Sequence, residues 1–481
     1  MTADIKPYPA YKDSGVPWLG DVPEHWDVGR LRSALVRNDS GCWGSDFSAS
    51  GSLVLRSNEQ TVDGTWQIVA PARRLLSHKE QSESRLVEGD LVITKSSGSS
   101  KHIGKTSLVT PEIAAMECCF SNFMQRIRLD ATVEPKLAWY WLNSQVGRGQ
   151  LVYESNTTTG LANLNGVIIG NLSFGFPPLS EQVAIVRYLD HADRKVRQAI
   201  RARQQLIKLL TEQKQSVIQH AVTLGLDPNV RLKPSGVPWL GDVPEHWETP
   251  LNQQVFREEI RPHGGMPEMQ LSLSQHHGLI ATRDMQERSL QTASYDNWKV
   301  TVPGDLVLNR FKAHLGVFFA ASLRGIVSFH YGVFAPKRVL DTKYFELLFH
   351  TYPYRMIYAG CSNGMTVGLQ NLSNQNFYNV RCVVPPISEQ VAIVACAERE
   401  TQTLNTSISK LEHEISLLRE YRTRLIADVV TGKLDVRGVK VPDDETDVLP
   451  EDVETIDDVE AIDQTDDVAE GDSESSSEES A

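Results

Sequence analysis

Cations and hydroxyls concentrate in one stretch of the chain, GDLVITKSSGSSKHIGKTSLV at 89–109. Lys95, Ser97, Ser99, Lys101, His102 and Lys105 all fall within it. The β-branched run before them and the apolar run after them read as strand, loop, strand. A tip built this way suits contacts to phosphate and to base edges. A nucleotide phosphate loop is the competing reading. GKT at 104–106 fits one, but the glycine required five residues before Gly104 falls on Ser99. A counterpart, GDLVLNRFKAHLGVFF at 304–319, carries Arg310, Lys312 and His314 and keeps only the glycine, Gly316. The strand–loop–strand reading is therefore preferred; for any single residue, a solvated basic loop is the plain alternative.

Two further polar clusters accompany each tip. SNTTTGLANLN at 155–165 holds Thr158, Thr159 and Asn163, and CSNGMTVGLQNLS at 361–373 holds Thr366, Gln370 and Asn371. LVLRSNEQ at 53–60 holds Arg56, Ser57 and Asn58, and LSLSQHH at 271–277 holds Ser274, Gln275 and His276. Neutral amides and hydroxyls can read base edges. They are equally ordinary turn formers.

Catalytic chemistry finds little support. PEHW occurs twice, placing Glu24 beside His25 and Glu245 beside His246. Flanking Pro, Trp and Gly make these rigid docking arms rather than acid–base pairs. No GxSxG, HExxH or GxGxxG is present, nor the Asn-Pro-Pro-aromatic tetrapeptide of amino-methyltransferases. The six cysteines show no CxxC spacing, which reads as reduced, cytoplasmic thiols with no metal site. No catalytic residue and no metal ligand is assigned.

The elements that must position these clusters are duplicated. SGVPWLGDVPEHW at 14–26 returns unchanged at 235–247. PPLSEQVAIV at 177–186 returns as PPISEQVAIV at 385–394, GDLV at 89–92 returns at 304–307, and GLANL at 160–164 returns as GLQNL at 368–372. A period above 200 residues means two domains, not a solenoid. The segments 27–159 and 248–367 share little beyond these anchors. One scaffold thus presents two different readers.

After each variable block comes a long helix. Val196, Ile200, Ile207, Leu210 and Val217 form one apolar seam, interrupted by Arg203. Leu404, Ile408, Leu411, Ile415, Leu418 and Leu425 form the other. Steps of 3 and 4 are those of a coiled coil. Ser180 and Ser388 suit the N-cap, with Glu181 and Glu389 in the first turn. Each helix should run ~40 residues, about 60 Å, and bury its seam against the other. The variable blocks read as mixed α/β, with strands at 91–95 and 306–310 and one helix each near 134–152 and 341–358.

Composition bounds the rest. The chain has 481 residues, 41 % hydrophobic and 23 % charged, too long for one core and too ordinary for a disordered or fibrous chain. No apolar run approaches the ~18 residues of a membrane span, and the N-terminus lacks the build of a signal peptide. The net charge of -13 is misleading, because residues 441–481 hold 18 acidic side chains and no Lys or Arg. The remaining body has 48 basic and 43 acidic residues, a net of +5, which permits a polyanionic partner. The Ser-rich acidic tail reads as disordered.

The expected fold class is α/β, as two α/β domains and two long helices pairing as an antiparallel coiled coil in a pseudo-twofold tandem repeat. The expected segments are a docking arm at 1–26, a first recognition domain at 27–178, a long helix at 179–226, a repeated arm at 227–247, a second recognition domain at 248–386, a second long helix at 387–435, and the tail at 436–481.

Taken together, YKDSGVPWLGDVPEHW at 11–26, its return at 235–247, PPLSEQ and PPISEQ, and the GDLV and NL anchors resemble the DNA-specificity subunit of a type I restriction-modification system. The resemblance covers about residues 8–437. It implies that the variable blocks are target recognition domains, each reading one half of a split, asymmetric site in double-stranded DNA. It implies that the helices space them, that two methyltransferase (modification) subunits dock on the repeated parts, and that two nuclease–translocase (restriction) subunits can join. Adenine methylation, S-adenosylmethionine, ATP and Mg would belong to those partners; this chain would be non-catalytic, hold no cofactor and be cytoplasmic. The acidic tail lies outside the family pattern. The alternative reading is a non-catalytic scaffold with two protein-binding modules.

Overall fold

The computed structural model describes residues 5–97, 102–155, 162–262, 269–274, 278–284, 297–362 and 371–442. In chain order, the elements that matter here begin with strands β1 (Leu35–Ser40), β2 (Leu91–Thr94), β3 (Ser96–Ser97), β4 (Thr106–Leu108) and β5 (Met124–Leu129). Helix α1 (Pro135–Asn143), strand β6 (Ala162–Asn163) and the long helix α2 (Leu179–Leu224) follow. Then come β7 (Phe256–Glu258), β8 (Leu271–Ser274), β9 (Gly278–Ala281), β10 (Leu306–Asn309), β11 (Phe318–Ala320), β12 (Tyr331–Pro336), α3 (Thr342–Phe349) and the long helix α4 (Ile387–Val430). Two compact units result. One runs to Arg203 and resumes at Glu412; the other spans Gln204 to Leu411.

Each unit is built on a four-stranded antiparallel sheet, and the strand order is the same in both. It is β1-β5-β2-β4 in the first unit and β7-β12-β10-β11 in the second. The GDLV anchor explains itself here. Gly89 and Gly304 take φ of 82° and 93°, a left-handed turn that favours glycine. The buried Asp90 then receives Arg128 (Nε 2.6 Å), and the buried Asp305 receives Arg261 (Nη1 2.6 Å). The apolar residues that follow, Leu91 and Ile93 in one copy and Leu306 and Leu308 in the other, enter the cores of their units.

The PEHW and SEQ motifs fold against each other. In the first unit Glu181 accepts from Tyr8 Oη (2.6 Å), Trp26 Nε1 (2.8 Å) and His25 Nε2 (2.8 Å). In the second, Glu389 accepts from Trp247 Nε1 (2.9 Å) and His246 Nε2 (2.8 Å). The neighbouring glutamines point the other way. Gln182 accepts from the Glu134 amide ahead of α1 (2.7 Å) and Gln390 from the Asp341 amide ahead of α3 (2.9 Å). Two adjacent side chains thus fix both the arm and the first helix of the sheet domain to the start of each long helix. Gly225 and Gly432, both with positive φ, follow the long helices and lie under the indoles of Trp247 and Trp26, where a Cβ would come within 3.2 Å of the ring.

The long helices pack along the expected seam. Val196, Ile415 and Leu425 are buried; Ile200, Ile207, Leu210, Val217, Leu404, Ile408, Leu411 and Leu418 are half-buried. The direction is antiparallel: within the first unit Asp193 of α2 pairs with Arg422 of α4, and Arg203 with Glu414 (2.7 Å). Arg203, which breaks the apolar pattern, is therefore accommodated by an ion pair. At 46 and 44 residues the helices are longer than expected, about 69 and 66 Å.

Four expectations need correction. The helices start one residue before Ser180 and Ser388, and the carbonyls of Pro178 and Pro386 accept the first helical amides, so neither serine is the N-cap. The single helix expected near 134–152 is two, ending at Asn143 and restarting at Gln145 through an extended Ser144. The one near 341–358 is also two, because Thr351 is extended and Pro353 opens a new helix at Tyr352. Finally, the segment assigned to the tail from 436 begins inside the fold: Val436 is buried, and Arg187 donates to the Val441 carbonyl (3.1 Å).

Glu181 is 4 % exposed and Glu389 40 %. Glu181→Ala strands two buried donors, Tyr8 and Trp26, at about 1–3 kcal/mol each, whereas Glu389→Ala strands one, Trp247, beside a half-exposed position. Urea unfolding should show a loss of about 3 kcal/mol or more for Glu181→Ala and a clearly smaller one for Glu389→Ala. Equal losses would mean that the clamp is not held by buried donors.

Candidate nucleic-acid interface

The sheet brings polar clusters together in each unit, three of them in the first and two in the second. In the first, β2 ends at Thr94 and Lys95 follows. The Lys95 carbonyl accepts the Leu164 amide (2.7 Å), and β3 pairs with β6 in the register Ser97↔Ala162, Ser96↔Asn163. Ser96 Oγ donates to Asn163 Oδ1 (2.9 Å). The hairpin tip and the Asn-Leu segment, 67 residues apart, are thereby neighbours. Lys95 Nζ donates to Ser40 Oγ on β1 (2.6 Å), and partial burial lowers the pKa of its ammonium.

The third cluster joins them through the interior. Lys105 is 3 % exposed, and its ammonium donates to the carbonyls of Ser57 and Gln60, both at 2.8 Å. Gln60 reaches back to β2, donating to the Val92 carbonyl (2.7 Å) and accepting from Thr94 Oγ1 (2.6 Å). Lys105 is thus an internal brace, and the phosphate contact expected of it is corrected: its charge is spent on backbone. Arg56 is likewise committed, to Glu59 (2.6 Å) and the Ala70 carbonyl (2.9 Å). What the brace presents is Asn58, exposed, and Ser57, half-buried, on the short turn Ser57–Glu59. His102 and Asn163 are exposed, and Ser97 is half-buried.

The second unit repeats the construction with other side chains. Arg310 follows β10, and its carbonyl accepts the Leu372 amide (3.0 Å), as Lys95 does with Leu164. Its guanidinium is held by Glu258 Oε1 on β7 (2.7 Å) and Asn374 Oδ1 (2.8 Å). Glu258 also takes Lys299 (3.3 Å). Arg310 is therefore oriented by a carboxylate where Lys95 is oriented by a hydroxyl. Asn371 is exposed and Lys312 half-buried. Ser274 closes the β8–β9 hairpin opposite Gly278, whose backbone rests on the Phe319 ring. Ser99, Lys101, Thr158, Thr159, Gln275, His276, Thr366 and Gln370, and the side chain of His314, lie outside the described residues.

Sequence reasoning missed Ser40, Glu258 and Asn374. The first two sit on β1 and β7, short strands whose sequences, LVRNDS and FRE, alternate no more than a loop would. Among the described residues no group of three His, Cys, Asp or Glu could hold a metal ion, and no helix is long and apolar enough to cross a membrane.

Lys105→Met would orphan two carbonyls, a loss of about 2 kcal/mol or more, seen as faster hydrogen exchange through 57–66. Burial, helped by the Arg148 charge, pulls the Lys105 pKa from 10.5 to about 8. Between those values the unfolded chain binds more protons, so the Lys105 contribution to stability rises with pH. Unfolding free energies at about pH 7.5 and 9.5 should diverge in favour of the parent over Lys105→Met; a pH-independent difference would contradict a desolvated amine.

No protein-family model matches the chain, and no curated protein matches it. Solved structures do. A chain from a structure described as the structural basis underlying complex assembly and conformational transition of the type I R-M system aligns with TM-score 0.60 at 17 % identity, covering 86 % of this chain and 99 % of that one. The HsdS subunit from Thermoanaerobacter tengcongensis gives 0.43 at 17 % identity, covering 86 % and 98 %. The type I restriction-modification system S subunit from M. genitalium gives 0.33 at 11 % identity, covering 84 % and 96 %. At these identities the likeness is one of fold, and this chain has the fold of a chain of the type I R-M system.

Proposed function

We propose that this chain is the sequence-specific DNA-binding subunit of a type I restriction-modification complex, reading a bipartite, asymmetric site. The observation that carries the reading is the repeated junction: Lys95 with Leu164, and Arg310 with Leu372, each at the end of the same sheet strand. One backbone construction gathers polar side chains twice, and the side chains differ. Two different readers on one scaffold match two unlike half-sites.

In this reading 27–178 and 248–386 are the recognition domains. The arms at 1–26 and 227–247 and the helices at 179–226 and 387–435 form the scaffold. Ser57, Asn58, Lys95, Ser97, His102 and Asn163 face one half-site; Ser274, Arg310, Lys312 and Asn371 face the other. Two methyltransferase subunits, carrying S-adenosylmethionine, methylate adenine, and nuclease–translocase subunits, carrying ATP and Mg, cut. The chain itself directs both reactions and catalyses neither, in the cytoplasm.

Methylome sequencing of a host with and without the gene tests this. One split adenine-methylated motif should depend on the gene, and exchanging 27–178 for another recognition block should change one half of it only. A change in both halves would defeat the modular reading. Purified chain without methyltransferase subunits should transfer no methyl group. DNA affinity should fall steeply with salt; a salt-insensitive complex would favour the scaffold reading.

The helices should set the gap. Four residues added to the middle of each lengthen it by about 6 Å, enough for one or two base pairs at about 3.4 Å each. The half-sites should stay the same. An unchanged gap at full activity would mean that the spacing is set elsewhere.

A further inference from the structure

The two long helices carry the same seam at a constant offset of 208 residues, from Val196 with Leu404 to Val217 with Leu425. Their outer faces do not match. On α2, Arg187, Arg194 and Arg201 recur every seven residues, which places them on one face of the helix. At the matching positions α4 has Ala395, Gln402 and Ser409. The shared scaffold therefore does not require these arginines. Arg187 and Arg201 are exposed and Arg194 half-buried.

The chain returns to this face after α4. Residues 431–442 pack on the first unit, through the buried Val436 and the Asp435 amide bonded to the Lys6 carbonyl (2.9 Å). Val441 and Pro442 then lie in an open groove of about 510 Å³ whose α2 wall is Val183, Val186, Arg187, Asp190 and Arg194, with the Asp190 carboxylate already taken by Lys136 Nζ (2.7 Å) and Tyr140 Oη (2.7 Å). Arg187 holds the Val441 carbonyl. Beyond Pro442 come Asp443, Asp444, Glu445 and Asp447, the first of the tail's 18 carboxylates.

We propose that the acidic segment beginning at Asp443 is the occupant of the Arg187–Arg194–Arg201 face. From Arg187 to Arg201 is about 21 Å along the helix, a distance six or seven extended residues cover at about 3.4 Å each. That length of tail carries four carboxylates against three guanidiniums. Single exposed ion pairs are weak and screened by salt. Tethering makes the difference: a segment rooted in the groove meets the arginines at an effective concentration on the order of millimolar. The consequence is that this basic helix face is closed to other polyanions, DNA included. The α4 face, neutral at the matching positions, needs no such cover. This assignment stands apart from which bases the recognition domains read.

The test uses full-length variants and two readouts. Arg194→Gln with Arg201→Gln leaves Arg187 and its hold on Val441 in place. Glutamyl endopeptidase cleavage after Glu445 should be several-fold faster in this variant than in the parent at about 50 mM salt, and equal at about 500 mM. Neutralising the tail root (Asp443→Asn, Asp444→Asn, Glu445→Gln, Asp447→Asn) should raise affinity for a duplex lacking the methylated motif about fivefold or more. That gain should vanish in the Arg194→Gln, Arg201→Gln background. Unaltered cleavage at low salt, or a gain in DNA affinity that survives loss of the arginines, overturns the assignment.

Discussion

A buried carboxylate in the first turn of α2 must be satisfied before anything else in the first unit can stand. Glu181 is almost wholly out of water, and a charge in that position is tolerable only while donors surround it. Tyr8, His25 and Trp26 supply them, and burial together with that carboxylate pushes the Tyr8 hydroxyl far above its usual range. The arm is therefore not a loose leader: its residues are the solvation shell of a helix terminus. Gln182 does the matching service for the sheet domain by holding the amide ahead of α1. With arm, sheet domain and helix tied at one point, the polar ends of the sheet are fixed relative to the start of the helix they serve.

Much of this was legible in the sequence because duplication acts as an internal control. The seam residues, the GDLV strands and the paired arms all repeat, and all of them pack. What escaped was local. Ser180 and Ser388 look like caps, but Pro178 and Pro386 already provide the carbonyl that begins the helix. Each sheet-domain helix reads as one because its apolar pattern continues across the break; Ser144 and Thr351 interrupt the backbone, not the pattern.

The polar site was legible as composition and illegible as roles. Lys105 stands among lysines and serines in a loop-like sequence, and nothing nearby says that its ammonium turns inward to two carbonyls. Glu258 lies 52 residues from Arg310, and Ser40 55 from Lys95. Which partner orients a cation depends on strand order, and strand order is not written in either segment alone. The comparison of the two units supplies it, since the holder sits on the same edge strand in both, as a hydroxyl in one and a carboxylate in the other.

The two glycines that follow the long helices bear on how such a chain can change length. Trp26 is bonded at its nitrogen to the start of α2 and covered on its ring by Gly432 after α4. Trp247 is bonded to the start of α4 and covered by Gly225 after α2. Each indole thus touches the beginning of one helix and the end of the other. An odd residue gained in one helix alone would displace a glycine from its ring and turn the seam by about 100° from that point on. Length drift is free in the sheet domains, where the offset between repeats falls from 221 to 208. In the helices the offset holds at 208 through the whole seam and changes only past it, where Gly432 stands 207 residues after Gly225, so insertions and deletions within the seam are admissible only as matched pairs.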